Sequence, residues 1–211
     1  MTTPKITRRQ IIKGAAAAGA LGAVGLPSVA FADGGNEGGG RIRWDLIDVT
    51  APSGTTRGDV NAGGDDRASS EHEFTLTLTG SGTFRPGHSR QVTGGGTWST
   101  TNPDVPGSGT YRVTELVSWL LAPGHLGPVF NDHIGNLADT RAGLAVLRIK
   151  YSDGLDGILF VSCNLAGTPP SVDEGINGSR GFVNFFHPAM PGFGKHSNRT
   201  LFHALHKENE G

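Results

Sequence analysis

Glu73-Phe74-Thr75-Leu76-Thr77-Leu78-Thr79 is the stretch on which the fold class turns. Phe74, Leu76 and Leu78 alternate with three threonines, the two-residue period of a strand with one face in a core and the other in water. Upstream, Arg41-Ile42-Arg43-Trp44-Asp45-Leu46 carries the same alternation. Between the two, residues 50–71 are dominated by Gly, Asp, Ser, Thr and Asn and read as a long surface loop, a feature that compact domains keep for function or leave disordered. Downstream, short segments around Gly82-Thr83-Phe84 and Gly96-Thr97-Trp98 lie between glycine turns, and Pro106-Gly107-Ser108-Gly109 leads into a run from Thr110 to Leu121.

Pro123 to Arg141 interrupts this rhythm, and Asn131 to Leu137 is the one place for a short helix. Strand character returns over Gly143 to Tyr151, turns at Ser152-Asp153-Gly154, and continues from Gly157 to Leu165, the pattern of a hairpin. Pro169-Pro170 closes that pair, and Gly181 to His187 and Arg199 to His206 are two further strands. The expectation is an all-β domain over residues 41–211: about eight mainly antiparallel strands in a single barrel or two-layer sandwich, with at most one short helix. The glycines fall at turns, and none makes a phosphate-cradling or dinucleotide-binding pattern.

The N-terminus has a different character. Thr7-Arg8-Arg9-Gln10-Ile11-Ile12-Lys13 resembles a twin-arginine export signal. The Ala- and Gly-rich stretch Gly14 to Val29 follows and ends in Ala30-Phe31-Ala32, the small-x-small pattern that a signal peptidase cuts. The stretch is too short and too diluted with glycine to serve as a membrane anchor, and no cysteine follows it to carry a lipid. Residues 1–32 are therefore expected to be a cleaved signal peptide, with Ala30 and Ala32 at the cleavage site and residues 33–40 a flexible Gly-rich leader. The resemblance implies the twin-arginine translocase and a signal peptidase as partners, and a secreted, periplasmic or cell-envelope destination. It also implies folding before export, which suits a chain whose single cysteine, Cys163, excludes an intramolecular disulfide.

Lys5, Arg8, Arg9 and Lys13 are four of the 18 basic residues, so the part after residue 32 carries 14 against 19 acidic ones, a balance of −5. That sign argues against a nucleic-acid partner or an anionic membrane surface. If odd-numbered residues of the Thr110 to Leu121 strand point inward, Tyr111, Val113, Glu115, Val117 and Trp119 form one row, with a carboxylate among apolar neighbours. Such a carboxylate has a raised pKa and serves as acid, base or ligand anchor; the alternative is an ion pair of Glu115 with Arg148. The same parity puts His187 beside Val183 and Phe185, and His203 beside Leu201 and Leu205. Cys163 reads as a buried, inert thiol, and no Gly-x-Ser-x-Gly elbow is present.

Tyr151-Ser152-Asp153-Gly154 with Val161-Ser162-Cys163, Glu174-Gly175-Ile176 through Phe182, and Asn198 to His203 resemble segments of uncharacterised secreted bacterial proteins carrying a twin-arginine signal. The functional expectation is a small or apolar ligand held between the walls of the β-domain, with Tyr111, Glu115, Trp119, His187 and His203 as binding residues. The alternative is an enzyme using Glu115 with His187 or His203 as acid and base, or a metal bound by histidines; no catalytic set and no cofactor is assigned from the sequence. Replacing Arg8 and Arg9 together by lysine is expected to hold the chain in the cytoplasm. Cell fractionation, with mass measurement of the exported form for a start at Asp33, checks this.

Overall fold

The structure is a computed structural model and describes residues 40–206. The expected signal peptide, its Ala30 to Ala32 cleavage site and all but the last residue of the expected leader lie outside the described residues.

Six strands form a closed antiparallel barrel. β1 (Arg41–Val49) pairs on one side with β5 (Ser81–Arg85), which pairs with β6 (His88–Thr100) and through it with β7 (Gly107–Ala122). β7 pairs with β9 (Thr140–Tyr151), β9 with β14 (Thr200–Leu205), and β14 returns to β1. Closure leaves no free edge in the ring. The remaining strands are wings. β4 (Thr75–Thr79), β3 (Asp65–Ser69) and β13 (His187–Pro188) extend from β6, while β10 (Asp156–Cys163), β11 (Gly175–Arg180) and β12 (Val183–Phe185) extend from β9. β2 (Gly58–Ala62) lies on the end of β1, and β8 (Phe130–Asp132) runs parallel to β2.

The ring is filled by its own side chains. Phe84, Trp119 and Phe202 sit on three strands that are not neighbours, yet their ring centroids meet at 5.3, 4.7 and 6.3 Å. Residues of alternate strands in a ring can touch only across its interior. Phe202 is the register partner of Trp44, and Phe84 of Ile42, so Ile42, Trp44 and Leu46 point inward and Arg43, Asp45, Ile47 and Val49 point outward. Burial of these rings, with Leu147 and Ile149 beneath, is the main stabilising term of the barrel.

Two expectations need correction. Residues 50–71 are no single loop: they contain β2 and β3, and Asp65 and Asp66 are buried. The composition misleads because these carboxylates face a core, and because Gly64 serves a close approach rather than a flexible turn. A Cβ at Gly64 would stand 2.0 Å from the Ile47 carbonyl oxygen. The second correction concerns residues 131–136, which form no helix. Asn131 and Asp132 belong to β8, and the Asp132 Oδ1 accepts the backbone N–H groups of Ile134 and Gly135, a local turn that competes with helix formation. A single 3-10 turn follows at Leu137–Asp139.

Phe202→Ala removes the ring that touches both other members of the plug, and is expected to cost about 3–5 kcal/mol in folding stability. Phe193→Ala, at a position 52% exposed, is expected to change stability by no more than about 0.5 kcal/mol. Urea unfolding of the two variants beside the parent chain measures both.

Candidate functional site

The five residues nominated from the sequence are not brought to one place. Tyr111 and Trp119 face the barrel interior, where the Tyr111 hydroxyl donates to the Thr79 carbonyl and Trp119 belongs to the aromatic plug. Burial pushes the Tyr111 hydroxyl pKa far up, which fits a fixed donor. Glu115 is turned out of the row by a one-residue bulge. Val113 pairs with Ile149 and Glu115 with Arg148, leaving Thr114 as the extra residue; a second shift at Val117 then restores Trp119 to the inside. Leu116 takes the inward place between them. Glu115 accepts from Arg148 Nε at 3.1 Å on the barrel's outer face, the ion-pair alternative weighed from the sequence.

His187 is exposed and lies 3.5 Å from Glu71. His203 is buried, its Nε2 donating to Asp132 Oδ2 at 2.6 Å. Burial opposes the charge on Asp132, but the bond from His203 and the N–H groups of Ile134 and Gly135 outweigh it and hold its pKa below the usual carboxylate value. Arg43, the register partner of His203, closes a bidentate pair on buried Asp45. The His203–Asp132 bond fixes the 130–137 segment to the outside of β14, beside the Arg43–Asp45 pair of β1. Glu115, His187 and His203 thus each engage a different partner. Among the described residues no three histidine, cysteine or acidic side chains are grouped to hold a metal ion.

A pocket of about 310 Å³ lies elsewhere, on the outward face of β1. Ile47 and Val49 of β1 and Val60 of β2 form one wall. Leu126, Val129 and Phe130, from the connection into β8, form another, and Leu165 and Ala166 beyond β10 complete the apolar lining. Its polar end is Glu174, just ahead of β11, and Arg199, just ahead of β14. Glu174 is held by two backbone donors, the Asn164 N–H at 2.5 Å and the Thr200 N–H at 2.7 Å. Burial nevertheless dominates and pushes its pKa up to about 7, against the lowering effect of those bonds and of Arg199.

Behind Glu174 stands a second acid. Asp66 on β3 is fully buried, and neither carboxyl oxygen has a hydrogen-bond partner; the Arg199 backbone N–H acts on it without closing a bond. Burial, then the neighbouring charge of Glu174, raise its pKa well above the usual value. Cys163 lies under the same cluster, its thiol donating to the Thr200 carbonyl and its pKa raised by burial, so the inert reading of this thiol agrees with its setting.

Two features hide this site in the sequence. Asp66 sat in a segment that looked solvated, and Glu174 in a connection after Pro169-Pro170. Neither residue carried a local signal: the strand that Glu174 precedes reads Gly-Ile-Asn-Gly-Ser-Arg, with one apolar side chain. Among the described residues no helix is long and apolar enough to cross a membrane.

Comparison with known proteins adds one match: the model of the TAT (twin-arginine translocation) pathway signal sequence covers residues 5–25. The chain is therefore exported by that pathway, and Arg8 and Arg9 fall within the match. Neither the curated proteins nor the solved structures contain a match to this chain.

The raised pKa of Glu174 has a signed consequence. Between its unfolded value near 4.5 and its folded value of about 7, the folded chain keeps a proton that the unfolded chain has released. The stability that Glu174 contributes is therefore fully present below pH 4.5 and is lost as the pH rises to 7, by about 3 kcal/mol in all. Glu174→Gln offers one acceptor to two backbone donors and pays a fixed cost, but loses this slope. The stability difference between parent and Glu174→Gln, measured by urea unfolding from pH 4 to 8, is expected to shrink across that window and then level off.

Proposed function

We propose that this exported β-barrel protein binds a small, largely apolar molecule in the pocket beside β1. One observation carries the reading: an apolar hollow of about 310 Å³ whose lining includes the two charged side chains Glu174 and Arg199. Ligand sites combine this kind of apolar lining with a few placed polar groups. The volume suits a ligand of about ten to fifteen non-hydrogen atoms at ordinary packing density. The ring interior is taken by Trp44, Phe84, Trp119 and Phe202, which supports the outer pocket, rather than the space between the barrel walls, as the binding space.

A second reading is supported by Glu174 itself. A carboxyl with a pKa near 7 beside an apolar cavity is suited to transferring a proton to or from a bound molecule. In that reading Glu174, rather than Glu115, is the acid or base. Conversion of the bound molecule to a species of different structure by the parent protein, and not by Glu174→Gln, distinguishes the enzyme from the carrier.

Gly127 provides a clean test of the pocket. A Cβ there meets only Val129 Cγ2, at 3.8 Å, so Gly127→Trp fills the mouth without straining the backbone. Protein purified from its own host is expected to carry a small molecule in native mass spectrometry, and Gly127→Trp to carry none while unfolding at the same urea concentration. Parent protein appearing, like the variant, only at its own ligand-free mass would contradict the proposal.

A further inference from the structure

We propose that the pocket accepts a short apolar chain ending in a carboxylate, with the Arg199 guanidinium as counter-ion to that head. The proposal rests on the pocket reading above and deepens it. Arg199 Nε donates to the Gly192 carbonyl at 2.8 Å, and its Cζ stands 5.4 Å from the Phe193 ring centroid. These contacts fix the plane of the guanidinium. Its two terminal nitrogens, Nη1 and Nη2, have no hydrogen-bond or ion-pair partner among the described residues. Arginine is suited to bidentate capture of a carboxylate through parallel N–H donors, and an oriented guanidinium loses less side-chain entropy on doing so.

Glu174 does not meet this demand. Both of its oxygens are engaged by the backbone donors of Asn164 and Thr200, so its effect on Arg199 is that of a neighbour and not of a contact partner. An ammonium head would be repelled by Arg199, and a hydroxyl head would leave its charge unpaired. The apolar walls of Val60, Leu126, Val129 and Phe130 can hold only the tail.

The same arrangement couples binding to pH. Glu174 is faced by Arg199, by Asp66 from β3, by Cys163 from β10, and by the two backbone N–H groups. Burial favours the neutral forms of Asp66 and Cys163, so Arg199 is the fixed charge of the cluster and Glu174 the group that titrates near neutrality. A bound carboxylate adds a like charge beside Glu174, and binding therefore weakens as Glu174 ionises.

Isothermal titration of the mature exported protein with octanoate, octanol and octylamine tests this. At pH 6, octanoate is expected to bind at least about tenfold tighter than octanol, and octylamine not to bind. Arg199→Gln is expected to reduce octanoate to the level of octanol while octanol binding stays, which also shows that the variant is folded; Arg199→Lys should fall between. From pH 6 to 8 the octanoate affinity is expected to drop about tenfold, and Glu174→Gln to lose that dependence. Octanol or octylamine binding as tightly as octanoate, or octanoate binding untouched by Arg199→Gln, overturns the head assignment and leaves the pocket reading standing. Binding of none of the three by the parent protein overturns both.

Discussion

The meeting of Phe84, Trp119 and Phe202 across the ring is the contact on which the rest of the structure depends. A six-stranded barrel is too narrow to hold both a core and a ligand, since even eight strands leave an interior just wide enough for side chains or one small molecule. Filling the ring with large aromatics makes the barrel a rigid peg. Everything recognisable as a site must then lie outside, on the outward face of β1 and β14 and beneath the wings that pack there. The pocket, the His203–Asp132 pair and the Asp66–Glu174 cluster all occupy that outer layer.

The outer layer is held by polar groups as much as by apolar ones. Arg180 is buried against the faces of Trp98 and Tyr151, with its guanidinium carbon 4.0 Å from the Trp98 centroid, and it reaches the Val105 carbonyl and the Asp153 carboxylate. Through these contacts it fastens β11 to the loop between β6 and β7 and to the β9–β10 hairpin. β12 and β13 lie at opposite ends of the strand order and are separated only by Phe186, so Val183 to Pro188 straps one wing to the other above the core residue Phe185. Asp66 and Glu174 sit at the junction of those wings. Their unfavourable burial is the strain that a ligand-binding or proton-transferring site would use, and nothing in the barrel requires it.

The all-β class and the barrel alternative were legible because period-two patterning survives wherever a strand has one wet face. Leu76 and Leu78 of β4 are buried as their alternation implies, and the Asp153-Gly154 turn joins β9 to β10. Residue parity along β7 was not legible. The bulges at Thr114 and Val117 are backbone events with no glycine or proline to announce them, and they exchanged Glu115 for Leu116 on the inner face. The strands inside residues 50–71 escaped notice for a related reason: Asp65 and Asp66 are buried carboxyl groups whose neighbours His196, Glu174 and Arg199 lie more than 100 residues away. Glu174 and Arg199 acquire meaning only when those distant segments are placed side by side, and no local pattern carries that information.

The central claim is that the binding space lies outside the ring. The most direct measurement is a methyl-resolved NMR titration of the mature protein with octanol, the uncharged probe. The account predicts shifts at the methyl groups of Val60, Leu126, Val129 and Leu165, which line the outer pocket, and none at Leu147 and Ile149 inside the barrel. Shifts confined to Leu147 and Ile149, or no shift at any methyl group, would contradict it.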